Sequence, residues 1–203
     1  MDNEGLKSLS LSMDPMKNFA SWFQAAKDSG QIEPTAMTLS TVDKSGNPDS
    51  RIVLLKSHQE GGFRFFTNLG SPKAQQVIDK PFASLVFHWT QPEHRQIRIR
   101  GPVERLSYEE SDEYFQSRPR GSRISALASP QSQKINSREE LDQMHKEVEK
   151  EYEGKEIPCP ENWGGFILKP KKFEFWQERE FRYHDRFLFE VIDGSWKVER
   201  LGP

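Results

Sequence analysis

Cysteine is nearly absent from this chain. The one present, Cys159, lies between Pro158 and Pro160, so no internal disulfide and no paired-thiol zinc motif can form. Such usage suits a reducing compartment, and the residue reads as structural. Long apolar runs are also missing: nothing approaches the roughly 20 residues of a membrane helix. The polar, acidic N-terminus lacks the basic-then-apolar pattern of a secretory signal, so the expected location is cytoplasmic. No excess of one charge exists, since 29 Lys and Arg face 31 Asp and Glu for a net charge of -2. That balance gives no global pull toward nucleic acid or membrane, and any anion site must be local. A His-Glu-x-x-His motif, a Gly-rich phosphate loop followed by Lys, and a nucleophile elbow are all lacking, which weakens hydrolase and nucleotide-loop readings. No internal repeat or low-complexity tract is evident.

What is present suits one domain with one substantial core: 203 residues, 34% of them apolar and 30% charged. Residues 1–12 are expected to form a flexible arm and 13–203 the domain. Asp14 as N-cap and Pro15 at the first helical position open a helix that places Phe19, Trp22, Phe23 and Ala26 on one face before Gly30. Alternation predicts strands over 37–42 and 51–55, joined as a hairpin through Asp43-Lys-Ser-Gly46, then another over 63–67 after Gly61-Gly62. A short helix starts at Ser71-Pro72. Strands are expected over 82–89 and 96–100, the latter with Ile97 and Ile99 on one face and Arg98 and Arg100 on the other. Ser107 with Glu110 makes a capping box for a helix to Ser117, Pro119-Arg120-Gly121 breaks the chain, and Ser137 with Glu140 caps a charged helix to Tyr152. Strands return over 165–168, 173–176, 187–190 and 196–198, with Asp193-Gly194 as a hairpin turn. The expected architecture is α+β: a mostly antiparallel barrel decorated with helices.

Three groups of polar residues could carry chemistry. Arg51 and Lys56 bracket an apolar strand, while Thr67, Asn68, Ser71 and Lys73 surround a helix start, a combination suited to phosphate. Read from spacing alone, Lys56 and Lys73 are equally ordinary surface lysines and Ser71 merely a cap. Tyr114, Arg118 and Ser122 cluster about a helix break, where an Arg also satisfies the helix dipole. Trp176 and Gln177, followed by Arg182, Tyr183, His184, Asp185 and Arg186, form the third group, which reads equally as a surface ion-pair cluster beside a core Trp.

The segments Arg51-Ile-Val-Leu-Leu-Lys56, Phe65-Phe-Thr-Asn-Leu-Gly-Ser71, Tyr114-Phe-Gln-Ser-Arg-Pro119, Phe173-Glu-Phe-Trp-Gln177, Arg182-Tyr-His-Asp-Arg186 and Glu199-Arg-Leu-Gly-Pro203 resemble those of the pyridoxamine 5'-phosphate oxidase family, in the family's order. With Asp14-Pro15, Gln131-Ser132 and Trp163-Gly-Gly165 the resemblance spans roughly 12–203. It implies an FMN-binding split β-barrel and a homodimer with flavin mononucleotide (FMN) between subunits. Contacts to FMN would come from Arg51, Ile52, Val53, Leu54, Leu55, Lys56, Phe66, Thr67, Lys73, Gln96, Gln131, Ser132, Trp176 and Arg186. Lys56, Tyr114, Arg118 and Ser122 would grip a substrate phosphate, with Arg182 and His184 at the substrate ring as the catalytic pair. No metal is implied.

The implied reaction converts pyridoxamine 5'-phosphate or pyridoxine 5'-phosphate to pyridoxal 5'-phosphate, reducing dioxygen to hydrogen peroxide. Three departures from the family pattern stand out. Pro72 occupies a position that is usually basic, Phe66 replaces the commoner Tyr, and only Glu4-Gly-Leu-Lys7 faintly resembles the family's N-terminal Gly-Gly-Leu-Arg segment. Alternatives are a flavin oxidase of the same fold acting on another aromatic substrate, and a non-catalytic flavin or pyridoxal-phosphate carrier. A nucleic-acid-binding barrel using Arg98 and Arg100 would require salt-sensitive binding.

Overall fold

A computed structural model describes residues 9, 11–59 and 61–203. The Glu4–Lys7 segment and most of the arm expected over 1–12 lie outside the described residues. Leu9 and Leu11 are buried in the main core, and Ser12 donates its backbone N–H to the Asn18 side chain at 2.7 Å. The end of that stretch is therefore docked onto the first helix.

That helix, α1 (Pro15–Asp28), starts as its caps dictate. The Asp14 carboxylate accepts from the backbone N–H of Met16 at 3.0 Å and Lys17 at 3.4 Å, and Pro15 gives up no hydrogen bond that a first-turn residue could have made. Its apolar face buries Phe19, Trp22, Phe23 and Ala26. The Phe19 ring meets Phe63 at 4.8 Å and Phe87 at 5.0 Å edge-on, and Trp22 meets Phe175 at 5.2 Å. Pairs of this geometry contribute about 0.5–1.5 kcal/mol each beyond their buried area.

The strands are β1 (Ala36–Val42), β2 (Pro48–Leu54), β3 (Phe63–Asn68), β4 (Phe82–Trp89), β5 (Arg95–Arg105), β6 (Trp163–Leu168), β7 (Lys172–Gln177), β8 (Asp185–Ile192) and β9 (Ser195–Leu201). Their main path runs β2-β1-β4-β5-β7-β8-β9, all pairs antiparallel, and β6 joins β3 to β5. The expected strand alternation holds where it was clearest: Ile97 and Ile99 are fully buried, whereas Arg98 and Arg100 are exposed. Asp193 and Gly194 both have positive φ, 50° and 75°, as the tight turn between β8 and β9 needs.

The helices α2 (Pro72–Asp79), α3 (Tyr108–Ser117) and α5 (Arg138–Glu151) follow their expected starts. Ser107 and Glu110 form a complete capping box. At α5 the Ser137 hydroxyl caps the Glu140 N–H, but the Glu140 carboxylate reaches past Ser137 to the backbone and side-chain nitrogens of Asn136. The break expected over 119–121 is instead a change of direction: Pro119 caps a further helix, α4 (Arg120–Ala128), and Gly121 is helical within it. Pro is excluded from a helix interior but not from its start, so Ser-Arg-Pro ends one helix and opens the next.

One close approach fixes the corner of the sheet. Strand β5 pairs with β7 up to Arg100 and with β6 from Val103, and between them the chain connecting β6 to β7 crosses it. Lys169 donates its N–H to Pro102 at 2.8 Å and Lys171 to Arg100 at 2.9 Å. A Cβ on Gly101 would lie 1.9 Å from the Lys169 carbonyl oxygen. Only glycine permits this crossing. Gly101→Ala is therefore expected to destabilise the fold by about 1–3 kcal/mol or more, read as a lower urea midpoint. An unchanged midpoint would show that the crossing can shift.

Candidate active site

Two of the three polar groups come together in a cleft of about 560 Å³. Strand β2 supplies Ile52, Val53 and Leu54, the chain beyond it Lys56, β3 supplies Phe66 and Thr67, and α2 supplies Lys73. From the other side come Tyr114 and Ser117 of α3, Arg118 and Pro119 of the turn, Ser122 of α4, Gln131 and Trp163. The α3–α4 corner does this locally: Tyr114 and Arg118 are four residues apart and share a face, and the immediate restart at Pro119 folds Ser122 back beside them.

The cleft holds two sets of donors. In the first, Lys73 Nζ donates to Gln131 Oε1 at 3.2 Å and to Thr67 Oγ1 at 3.4 Å, and Thr67 Oγ1 donates to Gln131 Oε1 at 3.1 Å. Burial and the nearby Arg51 cation hold the Lys73 amine below the ordinary lysine range, with Asp49 partly offsetting them. An arriving anion would relieve that penalty. The second set is built on Arg118. Its guanidinium lies 4.9 Å over the Trp163 ring and 5.6 Å from the Phe115 ring, and its buried Nη1 has no hydrogen-bond partner. Burial alone lowers this residue's hold on its proton. A buried donor left unmatched costs about 1–3 kcal/mol, and no carboxylate offsets this cation.

Aromatic rings brace this second set. Phe66 stacks on Tyr114 at 4.1 Å and on Trp163 at 5.3 Å, with interplanar angles of 21° and 11°. Gly165 makes room for them, since a Cβ there would fall 2.6 Å from the Phe66 ring. Cys159 belongs to the apolar cluster beneath, with Phe115, Ile124, Ile157 and Trp163. Burial and the Asp112 carboxylate push its thiol up to about 11, so it stays protonated and unreactive near neutrality.

The third group lies elsewhere. Arg182 and His184 line a separate cleft of about 660 Å³ with Glu93, His94, Gln177, Glu178, Arg179, Glu180 and Phe181, and the two clefts share no residue. On the sheet path β1, β4 and β5 stand between β2, which lines the first cleft, and β7, whose Gln177 lines the second. The His184 ring packs on Trp176 at 4.6 Å, and Trp176 pairs across the sheet with Gln96 and Arg186. Phe181 and Arg182 have left-handed φ of 56° and 60°, and such positions cost roughly 1–3 kcal/mol each for non-glycine residues.

Several expected site residues are already engaged. Arg51 donates to Thr41 at 2.7 Å, to the Leu39 carbonyl at 3.2 Å and to Gln76 at 3.3 Å, and it pairs with Asp49; it does not line the cleft. Arg186 grips Glu174 through Nε at 3.0 Å and Nη2 at 2.9 Å, and donates to the Gly202 carbonyl at 2.9 Å. Leu55 is buried in the core, and Ser132 is exposed with φ 67° beside Gln131. Sequence reasoning gave no site role to Trp163, although it forms the wall behind Arg118. It also passed over Glu174, buried between Phe173 and Phe175 and held by Arg98 at 2.9 Å as well as Arg186. An acid in the run Phe173-Glu-Phe175, with arginines on the neighbouring strands, was the available signal.

Two family models match the chain: "Pyridoxamine 5'-phosphate oxidase" over residues 24–152, and "Pyridoxine 5'-phosphate oxidase C-terminal dimerisation region" over 163–203. The chain is 47% identical over 203 residues to the pyridoxine/pyridoxamine 5'-phosphate oxidase of Psychromonas ingrahamii, covering 100% of this chain and 92% of the relative. It is 50% identical over 189 residues to that of Polynucleobacter asymbioticus, covering 93% and 89%. Among solved structures it is similar to PhzG from Burkholderia lata 383 in complex with tetrahydrophenazine-1-carboxylic acid, with a TM-score of 0.89, 28% identity and coverage of 95% and 94%. A pyridoxamine 5'-phosphate oxidase-related, FMN-binding protein from Nostoc punctiforme shares the fold, with a TM-score of 0.75 at 19% identity and coverage of 96% and 100%.

Proposed function

The chain belongs to the pyridoxine/pyridoxamine 5'-phosphate oxidase family, and from that premise we propose that it oxidises pyridoxamine 5'-phosphate and pyridoxine 5'-phosphate to pyridoxal 5'-phosphate with FMN and dioxygen. The observation that carries this reading is the cleft with two separate donor sets, one about Lys73 and one about Arg118, which suits two phosphates. Lys73, Thr67 and Gln131 would hold the FMN phosphate, with Ser132 beside them. Ile52 to Leu54 would lie along the flavin. Lys56, Tyr114, Arg118 and Ser122 would hold the substrate phosphate. Bound FMN would supply the redox chemistry, acceptance of a hydride equivalent from the substrate carbon bearing the amine or alcohol with dioxygen reduced to hydrogen peroxide; from the amine, water would hydrolyse the resulting imine and ammonia would leave. The protein's part is orientation and charge. Cytoplasm is the location that the lone buried, protonated thiol suits. No described helix is long and apolar enough to cross a membrane.

The distance between the clefts gives the homodimer a role. Arg182, His184, Trp176 and Arg186 all fall within the matched dimerisation region, and one chain does not bring them to the phosphate cleft. A second copy would bring its own set across, completing the site from both chains. Sedimentation should find a dimer at micromolar concentration; a monomer that keeps FMN and full activity would overturn this arrangement.

Substrate choice follows from Arg118. Without a phosphate its Nη1 stays buried and unmatched, so unphosphorylated pyridoxamine and pyridoxine should be far poorer substrates. Arg118→Ala removes a charge-assisted contact of about 1.5–3 kcal/mol, and should narrow the preference by roughly tenfold to a hundredfold in kcat/KM. Equal turnover of both kinds of substrate by the unmodified enzyme would favour the rival, an oxidase of another aromatic substrate. Absence of peroxide on adding pyridoxamine 5'-phosphate to the FMN-loaded protein would favour a carrier.

The FMN phosphate grip is the weaker of the two. Pro72 opens α2 well, but it has neither an N–H nor a charge to offer beside Lys73. Pro72→Arg should strengthen FMN binding by roughly 0.5–2 kcal/mol, with a gain that shrinks as salt rises, because the contact is partly exposed. The pH dependence follows from the depressed Lys73 amine. Its cationic form, needed by the dianion, is complete below its folded pKa and is lost as pH rises through that value, before an ordinary lysine would titrate. Flavin fluorescence titrations should therefore show affinity falling in that alkaline window, and Lys73→Arg should abolish the fall. A flat profile, or no gain from Pro72→Arg, would place the phosphate elsewhere.

A further inference from the structure

We propose that Asp185 is a positioning residue: together with Arg179 and Arg200 it clamps the turn before β8, and the clamped turn presents His184 to the substrate with its proton on Nε2. The inference rests on the proposed placement of His184 against the substrate ring and adds the device that sets its orientation and tautomer.

The clamp is read from three contacts. Arg179 Nε donates to Asp185 Oδ2 at 2.7 Å, closing the turn on itself, and Arg200 Nη1 donates to Asp185 Oδ1 at 2.7 Å, tying the turn to β9. Arg200 is in turn seated over the Phe187 ring at 4.6 Å. Both carboxylate oxygens are thus occupied by guanidinium groups, the strong form of a charge-assisted hydrogen bond. Burial opposes the charge on Asp185, but the bonds and charges of Arg179 and Arg200 outweigh it and hold the carboxyl below its usual range. Inside the closed turn sit the two left-handed residues, Phe181 and Arg182. Conformations of this kind persist only where the surroundings over-determine them. An exposed turn carrying a Phe that is 95% exposed has little packing to do so; the Tyr183 N–H bonds the Glu180 carbonyl at 3.0 Å and the Glu178 N–H the His94 carbonyl at 2.9 Å, and the clamp adds the tie to β9.

The consequence reaches the imidazole. The Arg179 backbone N–H donates to His184 Nδ1 at 3.2 Å. A nitrogen that accepts from an N–H carries no proton of its own, so the neutral ring bears its proton on Nε2. With the Trp176 ring packed on it at a 48° tilt, the imidazole keeps one donor atom, Nε2, which would be free for an acceptor on the substrate ring. Release of Arg179 from Asp185 frees the backbone that supplies this bond, and both tautomers become accessible. Asp185, which does not line the cleft, would act through His184.

The test uses the FMN-loaded, full-length enzyme labelled with 15N in the histidine rings, the His184 signals being assigned by their loss in His184→Asn. The unmodified protein should show an unprotonated Nδ1 and a protonated Nε2. Asp185→Asn should average the two, and should lower kcat roughly 10- to 100-fold, the usual cost of removing such a supporting partner, with KM for pyridoxamine 5'-phosphate changed less than about twofold. Asp185→Glu, which keeps the carboxylate, should recover most of kcat. If Asp185→Asn does not fold, Arg179→Gln makes the same measurement from an exposed position. A wild-type imidazole spectrum and kcat in the clamp variant that folds would overturn the clamp. An averaged spectrum with unchanged kcat would instead overturn the placement of His184 at the substrate, leaving the phosphate grip of Arg118 to stand on its own test.

Discussion

The crossing of the β6–β7 connection over Gly101 is the contact on which the arrangement of this protein depends. A carbonyl lies where any other residue would carry a Cβ, so the chain can leave β6, pass over β5 and enter β7 within a few residues. Strand β5 then serves two sheets at once, with β6 beyond Val103 and β7 before Arg100. This puts Trp163, at the start of β6, behind Arg118 in one cleft, and Trp176, near the end of β7, beneath His184 in the other. Two rings only thirteen positions apart in the chain thus serve opposite halves of the site. The separation of the two clefts is built into the corner, and under the proposed function a second subunit would be needed to bring them together.

How much of this was legible depends on the range of the interaction. Caps and turns are local, so Asp14-Pro15, Ser107 with Glu110 and Asp193-Gly194 announce their elements in four residues or fewer, and each element starts or turns where they stand. Strand alternation reads well at Ile97 to Arg100 because one face is core and the other is not. The helix α4 was missed because Pro and Gly in succession signal a break equally well when the next helix begins at once. The site is harder. Thr67 and Lys73 meet Gln131 across 64 and 58 positions, and no spacing rule joins groups that far apart; only the resemblance to a family put them together. The resemblance put FMN between two subunits, but it did not say which residues one chain would bring to each cleft.

The cations of the site differ in whether they are already spoken for, and that difference sorts their roles. Arg51 has Asp49, Thr41, Gln76 and a backbone carbonyl; Arg186 has a two-point grip on Glu174, which Arg98 also holds. Turning either guanidinium toward a ligand would cost a carboxylate one partner, though Glu174 would keep Arg98 and the half-exposed Asp49 would keep Gln76. In a single chain without ligand these two arginines are therefore engaged with the frame. Arg118 is the reverse case: aromatic faces hold it, no carboxylate neutralises it, and one buried donor is unmatched. Lys73 holds only neutral oxygens and pays for its charge by desolvation. A dianion arriving at either meets a cation whose burial has already been met by folding, so little reorganisation stands against binding. In the proposed function phosphate recognition would thus rest on cations kept without a carboxylate partner, while carboxylates such as Glu174 are committed to the frame.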